Sequence, residues 1–478
     1  MHQTPLYHQI AGKIESMISR GTYQPGERLP GVRRLSKDFG VSVGTVLEAL
    51  YRLHNTGNLE VRPRSGYYVS TPRADLPNTI KAKPIQSAPK SVSNQATVLR
   101  LASASNNPEI VQLGAALPHP DYQPRNALAR HFRAALREHP YATSSYEFPP
   151  GYEPLRKTIA TRMRHAGLHL HPEQITISNG CQEAVTICLS LVAKPGDIIA
   201  VESPAYYGLL QCIESLGMRA LELKTDPTNG IDPGILDTTL QRWPVKACVL
   251  TANGNNPLGY ITSDENKRDI LRVLKKHDVA LVEDDIYGDL SLSSPGSGER
   301  PKAMCAYATK QIALYCSSFS KTVSPALRIG WIASTSLNEQ IQHAKFLRNI
   351  ATASIDQIAL AGYLANSGYD RHLDKHRDQY AKNAREVLGA IAGFFPAETR
   401  ASHPRAGFTI WVQLPQAING NELTYACLEK NIGIFPGQLF SASGRYKNYI
   451  RLSCAQPVTN KVLQAMKTVG QIASEMNA

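Results

Sequence analysis

Lys321 ends the string Tyr315-Cys316-Ser317-Ser318-Phe319-Ser320, directly behind the apolar run Ile312–Cys316, and Arg328 follows seven residues later in Leu327-Arg328-Ile329-Gly330-Trp331. An amine, hydroxyls and a guanidinium collected just past a buried strand constrain the fold strongly. In open α/β sheets, ligands are met outside the C-terminal ends of the strands. From about residue 101 to 478, helical segments alternate with short apolar runs such as Val245–Thr251 and Val279–Val282. That alternation predicts a mostly parallel, doubly wound α/β sheet.

Other strand ends carry complementary groups. Asp284 follows Val279–Val282 inside Glu283-Asp284-Asp285, with Tyr287 three residues further on, and Asn256 follows Val245–Thr251. Gly180, Cys181 and Gln182 follow Ile175–Ser178 and open a helix, whose free N–H groups suit a phosphate. Arg451 is a charge inside the apolar strand Tyr449–Ser453, and a buried arginine needs an anion. These are the groups pyridoxal 5'-phosphate asks of a protein. The candidates are Lys321 for the amine, Asp284 for the partner of the ring nitrogen, Tyr287 and Asn256 for donors to the phenolate, and Tyr206 for a stacking ring. Gly180, Cys181, Gln182, Ser318, Ser320 and Arg328 form a phosphate cradle, and Arg451 offers a carboxylate a bidentate partner.

From about Leu113 to Leu452 these motifs resemble the fold-type I aminotransferases of the aspartate aminotransferase superfamily. The resemblance implies an α/β domain with a mostly parallel sheet and a smaller C-terminal subdomain, implies a Schiff base on Lys321, and assigns Asp284, Tyr287, Asn256, Tyr206, the cradle and Arg451 the same roles. It also matches Tyr146, in Tyr146-Glu147-Phe148-Pro149-Pro150-Gly151, to a tyrosine that reaches a neighbouring subunit's phosphate, which implies a homodimer with shared sites.

Residues 1–70 follow another pattern. Leu6, Ile10, Ile14, Met17 and Ile18 recur at helical spacing, Val32 to Phe39 is a short second helix closed by Gly40, and Ser42 caps a third to about Leu53. Val43, Val46, Leu47, Leu50 and Leu53 are expected inward, and Ser42, Thr45, Glu48 and Arg52 outward. Strand, turn and strand then run through Leu59-Glu60-Val61, Arg62 to Gly66, and Tyr67-Tyr68-Val69. Three helices and a hairpin describe a winged helix-turn-helix. Nine basic residues here oppose five acids. They fall where phosphates of double-stranded DNA would lie. The stretches PLYHQIAGKI, YQPGERLPGVRRLSKDFGVSVGTV and RPRSGYYV resemble the GntR regulators. That resemblance implies DNA contacts from Arg33 and from Ser42, Gly44 and Thr45 early in the third helix, and Val43 stands where the family often has an arginine; Arg62 and Arg64, by their charge at the wing tip, are expected to meet phosphates. Residues 71–100, rich in Pro, Lys, Ser and Asn, read as a flexible, solvated linker. The whole arrangement resembles the MocR subfamily of GntR regulators.

Net charge is +13, which favours a polyanionic partner. No apolar run approaches the ~20 residues of a membrane span. The first residues carry no secretory pattern, so a cytoplasmic protein is expected. The eight cysteines form no CxxC pair and read as reduced thiols; no metal site is expected. Two functions compete: a regulator that senses pyridoxal phosphate, or an amino acid through it, and a working aminotransferase with an auxiliary DNA-binding domain. The DNA-binding unit, which a metabolic transaminase does not need, favours the regulator.

Overall fold

The computed structural model describes residues 5–24, 26–55, 58–62, 65–70, 76–82, 88–90, 101, 103–104, 107–292, 300–309, 311–365 and 368–477, without the side chains of Asn55 and Arg62. At the N-terminus, helices α1 (Leu6–Ser19), α2 (Val32–Phe39) and α3 (Val43–Asn55) precede an antiparallel hairpin, β1 (Leu59–Arg62) and β2 (Gly66–Val69). Gly40 ends α2 in the left-handed region, at φ 65°, where glycine costs least. The Ser42 Oγ accepts the Thr45 N–H at 3.1 Å and so caps α3. The core of this head is Ile10, Ala11, Ile14, Leu29, Leu35, Val46, Ala49, Leu50, Leu53, Leu59 and Val69.

The structure corrects the orientation expected for α3. Val46, Leu50 and Leu53 are buried, but Val43 and Leu47 are 44% and 43% exposed, and Arg52 is only 9% exposed. The period of 3.6 makes one stripe of Val46, Ala49, Leu50 and Leu53. Val43 and Leu47 fall outside it. Arg52 is buried by a contact distant in sequence: its Nη1 meets the Asp378 carboxylate at 3.0 Å.

The composition of 71–100 predicts a solvated segment, yet its two described stretches lie on the core. Ile80 packs among Tyr260, Trp411, Phe440 and Tyr449, and Thr79 bridges Ala401. Lys90 exchanges backbone hydrogen bonds of 2.9 and 3.0 Å with Ala220.

Beyond them, β3 (Val111–Gln112) leads into a domain whose main sheet has eight strands. These are β4 (Ile175–Ser178), β5 (Ile198–Ser203), β6 (Arg219–Asp226), β7 (Gly230–Ile231), β8 (Val245–Leu250), β9 (Ala280–Asp284), β10 (Ala313–Ser318) and β11 (Gly330–Ala333). Their order is β4-β11-β10-β9-β8-β5-β6-β7. The run from β10 to β6 is parallel, while β11 runs against both its neighbours and β7 against β6. Strands β5, β9 and β10 are buried almost end to end, as a sheet covered by helices on both faces requires. A second, antiparallel sheet near the C-terminus takes β12 (Arg400–Ala401), β13 (Thr409–Gln413), β15 (Phe435–Pro436) and β16 (Tyr449–Ser453) in the order β12-β13-β16-β15. Between them, β14 (Ile432–Gly433) pairs in parallel with β3 and ties the start of the domain to its end.

Candidate functional site

Parallel strands that share a direction deliver their C-terminal ends to one edge of the sheet. There β4 leads to Gly180, β5 to Tyr206, β8 to Asn256 and β10 to Lys321, while Asp284 is itself the last residue of β9. Opposite them, β16 of the small sheet contributes Arg451. The result is a cavity of about 250 Å³ lined by Cys181, Gln182, Tyr206, Asn256, Asp284, Tyr287, Ser320, Lys321, Arg328 and Arg451, with Tyr207 and Phe435 among its walls.

The structure separates the three acids of Glu283-Asp284-Asp285. The Glu283 carboxylate accepts the N–H groups of Met304 and Cys305, both at 2.7 Å. Asp285 accepts from Arg300 at 2.6 Å and from the Tyr315 hydroxyl at 2.9 Å. Asp284 alone lines the cavity, its Oδ1 taking the Cys181 thiol at 3.1 Å and the Ile286 N–H at 3.3 Å. Burial raises its pKa to about 6. Lys321 donates to the Ala116 carbonyl at 2.8 Å, and burial, then the nearby Arg451 cation, lowers its pKa to about 8.

Arg451 is 1% exposed. Its guanidinium donates to Gly114 O at 3.2 and 2.8 Å and to Asn256 Oδ1 at 3.2 Å, all uncharged acceptors. The rings of Phe435, Phe440 and Tyr207 surround it with centroids 4.8, 5.0 and 5.7 Å away. An uncompensated cation so deep in protein is costly unless an anion joins it. Because Asn256 gives its Oδ1 to Arg451, its NH2 stays available to a second partner.

The residues expected to cradle a phosphate meet at the N-terminus of the helix Cys181–Val192. Its N-cap, Gly180, has φ 86°, and a Cβ there would lie 2.5 Å from the Arg328 Nη2. Only glycine leaves this cradle open. Arg328 donates to Asn179 O at 3.1 Å and approaches the Ser320 Oγ at 3.4 Å. Ser318 is set one layer further back. Its hydroxyl lies 2.8 Å from the Ser320 Oγ and 2.9 Å from Ile329 O, and it accepts the Ser320 N–H at 3.0 Å, so it shapes the turn rather than lining the cavity. Tyr146 also lies outside the cavity and is 70% exposed.

Pyridoxal 5'-phosphate fits these residues. The Tyr287 hydroxyl is buried with no hydrogen-bond partner among the described residues, which leaves it free to meet a phenolate oxygen. A neutralisable amine, a carboxylate at a strand end and an open helix N-terminus complete the set.

In the head, Arg33, Ser42 and Gly44 are exposed and Thr45 is half-buried at the start of α3. The Arg62 side chain and all of Arg64 lie outside the described residues. Sequence reasoning missed the Gly114 and Ala116 carbonyls, which as backbone groups have no residue signature, and the ring cage of Tyr207, Phe435 and Phe440. Only the repeated tyrosine at 206–207 hinted at that cage.

Fold and site together define an aminotransferase-like domain behind a winged helix-turn-helix. "Aminotransferase class I and II" matches residues 120–469, and "Bacterial regulatory proteins, gntR family" matches residues 6–69. The HTH-type transcriptional regulator YjiR of Escherichia coli is 33% identical over 97% of this chain and 98% of its own length, and YdcR of the same organism 34% over 98% and 99%. The 2-aminoadipate transaminase of Thermus thermophilus is 26% identical over 78% of this chain and 93% of its own. Among solved structures, the α-aminoadipate aminotransferase LysN of Thermus thermophilus superposes with a TM-score of 0.71, at 24% identity, over 80% of this chain and 99% of that one. The chain belongs to the GntR regulators of the MocR type, in which a class I and II aminotransferase domain follows the DNA-binding head.

Proposed function

We propose that this protein regulates transcription by binding double-stranded DNA through residues 1–70 and by sensing pyridoxal phosphate, or an amino acid through it, in residues 101–478. The observation that carries the reading is the joining, in one chain, of an exposed reading helix to a cavity holding Lys321, Asp284, Tyr287 and Arg451. The bound cofactor would supply an electron sink through its protonated ring. Lys321 holds it covalently, and Asp284 keeps the ring nitrogen protonated. Tyr287 and Asn256 donate to the phenolate, and Tyr206 stacks on the ring. The N–H groups following Gly180, at Cys181 and Gln182, with Ser320 and Arg328, bind the phosphate, and Ser318 supports Ser320. Arg451 takes the carboxylate of an amino acid. Beyond Lys321, Asp284, Arg328 and Arg451 the described lining is uncharged, with Leu117, Tyr207 and Phe435 among it. That favours an effector whose side chain is apolar.

The protein acts as a cytoplasmic homodimer in this reading. Tyr146 stands beside Phe148, and Phe148 beside Phe346, with ring centroids 5.7 and 6.1 Å apart. All three rings are exposed, an apolar patch suited to a second copy. A second function, transamination, is favoured by the completeness of the cavity, and a half-turnover with amino acids separates it from sensing alone.

The experiment is paired. Borohydride reduction should trap the cofactor on Lys321 and nowhere else, and the same preparation should shift the DNA upstream of its own gene. Trapping at another lysine would refute the site, and no shift would refute the regulator.

A further inference from the structure

Val43 and Leu47 stand four residues apart on α3, so they share one helix face. Both are more than two-fifths exposed, along the edge of the stripe of Val46, Ala49, Leu50 and Leu53 that the helix buries. Exposed Ser42 and Gly44 adjoin them at the same helix end. The surroundings are mainly basic: Arg33, Arg34 and Lys37 are exposed on α2, the helix before, against one exposed acid there, Asp38, which pairs with Arg34 at 3.9 Å. The one acid of α3, Glu48, is exposed and, as the residue after Leu47, points about 100° away from it around the helix. Arg52, at the other end of α3, is held by Asp378, and this docking leaves the first two turns of α3 open.

An apolar pair at the tip of a reading helix, flanked by cations, is matched to the major groove of double-stranded DNA. Valine and leucine neither donate nor accept a hydrogen bond, so they cannot read guanine, cytosine or adenine by their polar edges. The one apolar group that a base edge presents in that groove is the C5-methyl of thymine. We propose that Val43 and Leu47 contact thymine methyl groups, so that each half-site carries at least one A·T pair beneath the first two turns of α3. Ser42 and Thr45 supply the neighbouring polar contacts. The proposal rests on the regulator reading and deepens it by naming the chemistry through which the operator is chosen.

Deoxyuridine differs from thymidine only by that methyl. The test uses the full-length, cofactor-loaded protein. Operators are first selected from random duplexes, and each thymine of a half-site is then replaced in turn by deoxyuridine. One or two positions should lose roughly fourfold in affinity, the equilibrium worth of about one buried CH2. The loss should disappear in Val43→Ala or Leu47→Ala, whose exposed positions leave folding intact. Val43→Arg should shift the preference at its position from thymine toward guanine, the base that arginine reads with two hydrogen bonds. A deoxyuridine penalty absent everywhere, or unchanged in both alanine variants, would overturn the proposal. So would a change of oligomeric state in those variants with base preference intact, which would assign the stripe to a protein partner. Failure to select any DNA sequence at all would instead overturn the regulator reading beneath it.

Discussion

Arg52 of α3 and Asp378 of the long helix Gly368–Phe394 form an ion pair of 3.0 Å, with side chains only 11% and 15% exposed. Burial pushes the Asp378 carboxyl up to about 6 even beside this cation. The same core helix touches Thr322, the residue after Lys321: the Tyr369 hydroxyl lies 3.0 Å from the Thr322 Oγ1, and the His372 Nε2 lies 2.7 Å from Thr322 O. One helix therefore contacts the neighbour of Lys321 and, a few turns on, the helix that would read DNA. This contiguity is a route by which the two sites can bias each other; coupling itself is a matter for measurement.

If the pair fastens head to core, Arg52→Ala leaves a buried carboxylate alone and should cost roughly 3 kcal/mol. A double-mutant cycle with Asp378→Ala on thermal unfolding should return a coupling above about 1 kcal/mol, more than exposed pairs reach. Strictly additive single effects would show that the contact fastens nothing.

The amine that captures the cofactor must be neutral. With the Lys321 pKa lowered from 10.5 to about 8, first by burial and then by Arg451, the capture rate of the apo protein should climb with pH through a midpoint of about 8. Arg451→Met removes one of the lowering influences and should move the midpoint upward, though burial keeps it below 10.5. Stopped-flow absorbance reads both. A midpoint that stays put in the variant would remove Arg451 from the electrostatics of the lysine.

Arg33 is exposed on α2 and is assigned to a phosphate. Arg33→Ala should weaken binding to all duplexes about equally and reduce the slope of log affinity against log salt by about 1. Loss confined to particular sequences would make it a reader of bases.

That Lys321, Asp284 and Arg451 meet in one cavity was legible because they are unusual residues to find at buried strands: a lysine behind Ile312–Cys316, an acid behind Val279–Val282, an arginine inside Tyr449–Ser453. The sequence could not say which acid of the Glu283–Asp285 triplet faces the cavity, except through the resemblance. That depends on Arg300, Met304 and Cys305, which arrive from a later loop. The head was legible as three helices and a hairpin, but the facing of α3 was not. Its apolar residues recur too densely for spacing alone to choose a face, and Arg52 is buried by a residue 326 positions away. The reversed strand β11 was equally hidden, because a strand's direction in the sheet leaves no mark on its own composition.

If the protein is a sensor, the cavity and the reading helix are thermodynamically linked. The direct measurement is operator affinity of the cofactor-loaded protein across a panel of amino acids, beside amino acid affinity with and without operator. An apolar amino acid should change operator affinity more than aspartate or lysine does. Operator should change the affinity for that amino acid by the same factor, as linkage requires. Arg451→Ala should lose the response while keeping the cofactor. Operator affinity indifferent both to every amino acid and to removal of pyridoxal phosphate would show that the two sites are not linked. A response to the cofactor alone would make this a sensor of pyridoxal phosphate and leave Arg451 without a regulatory role.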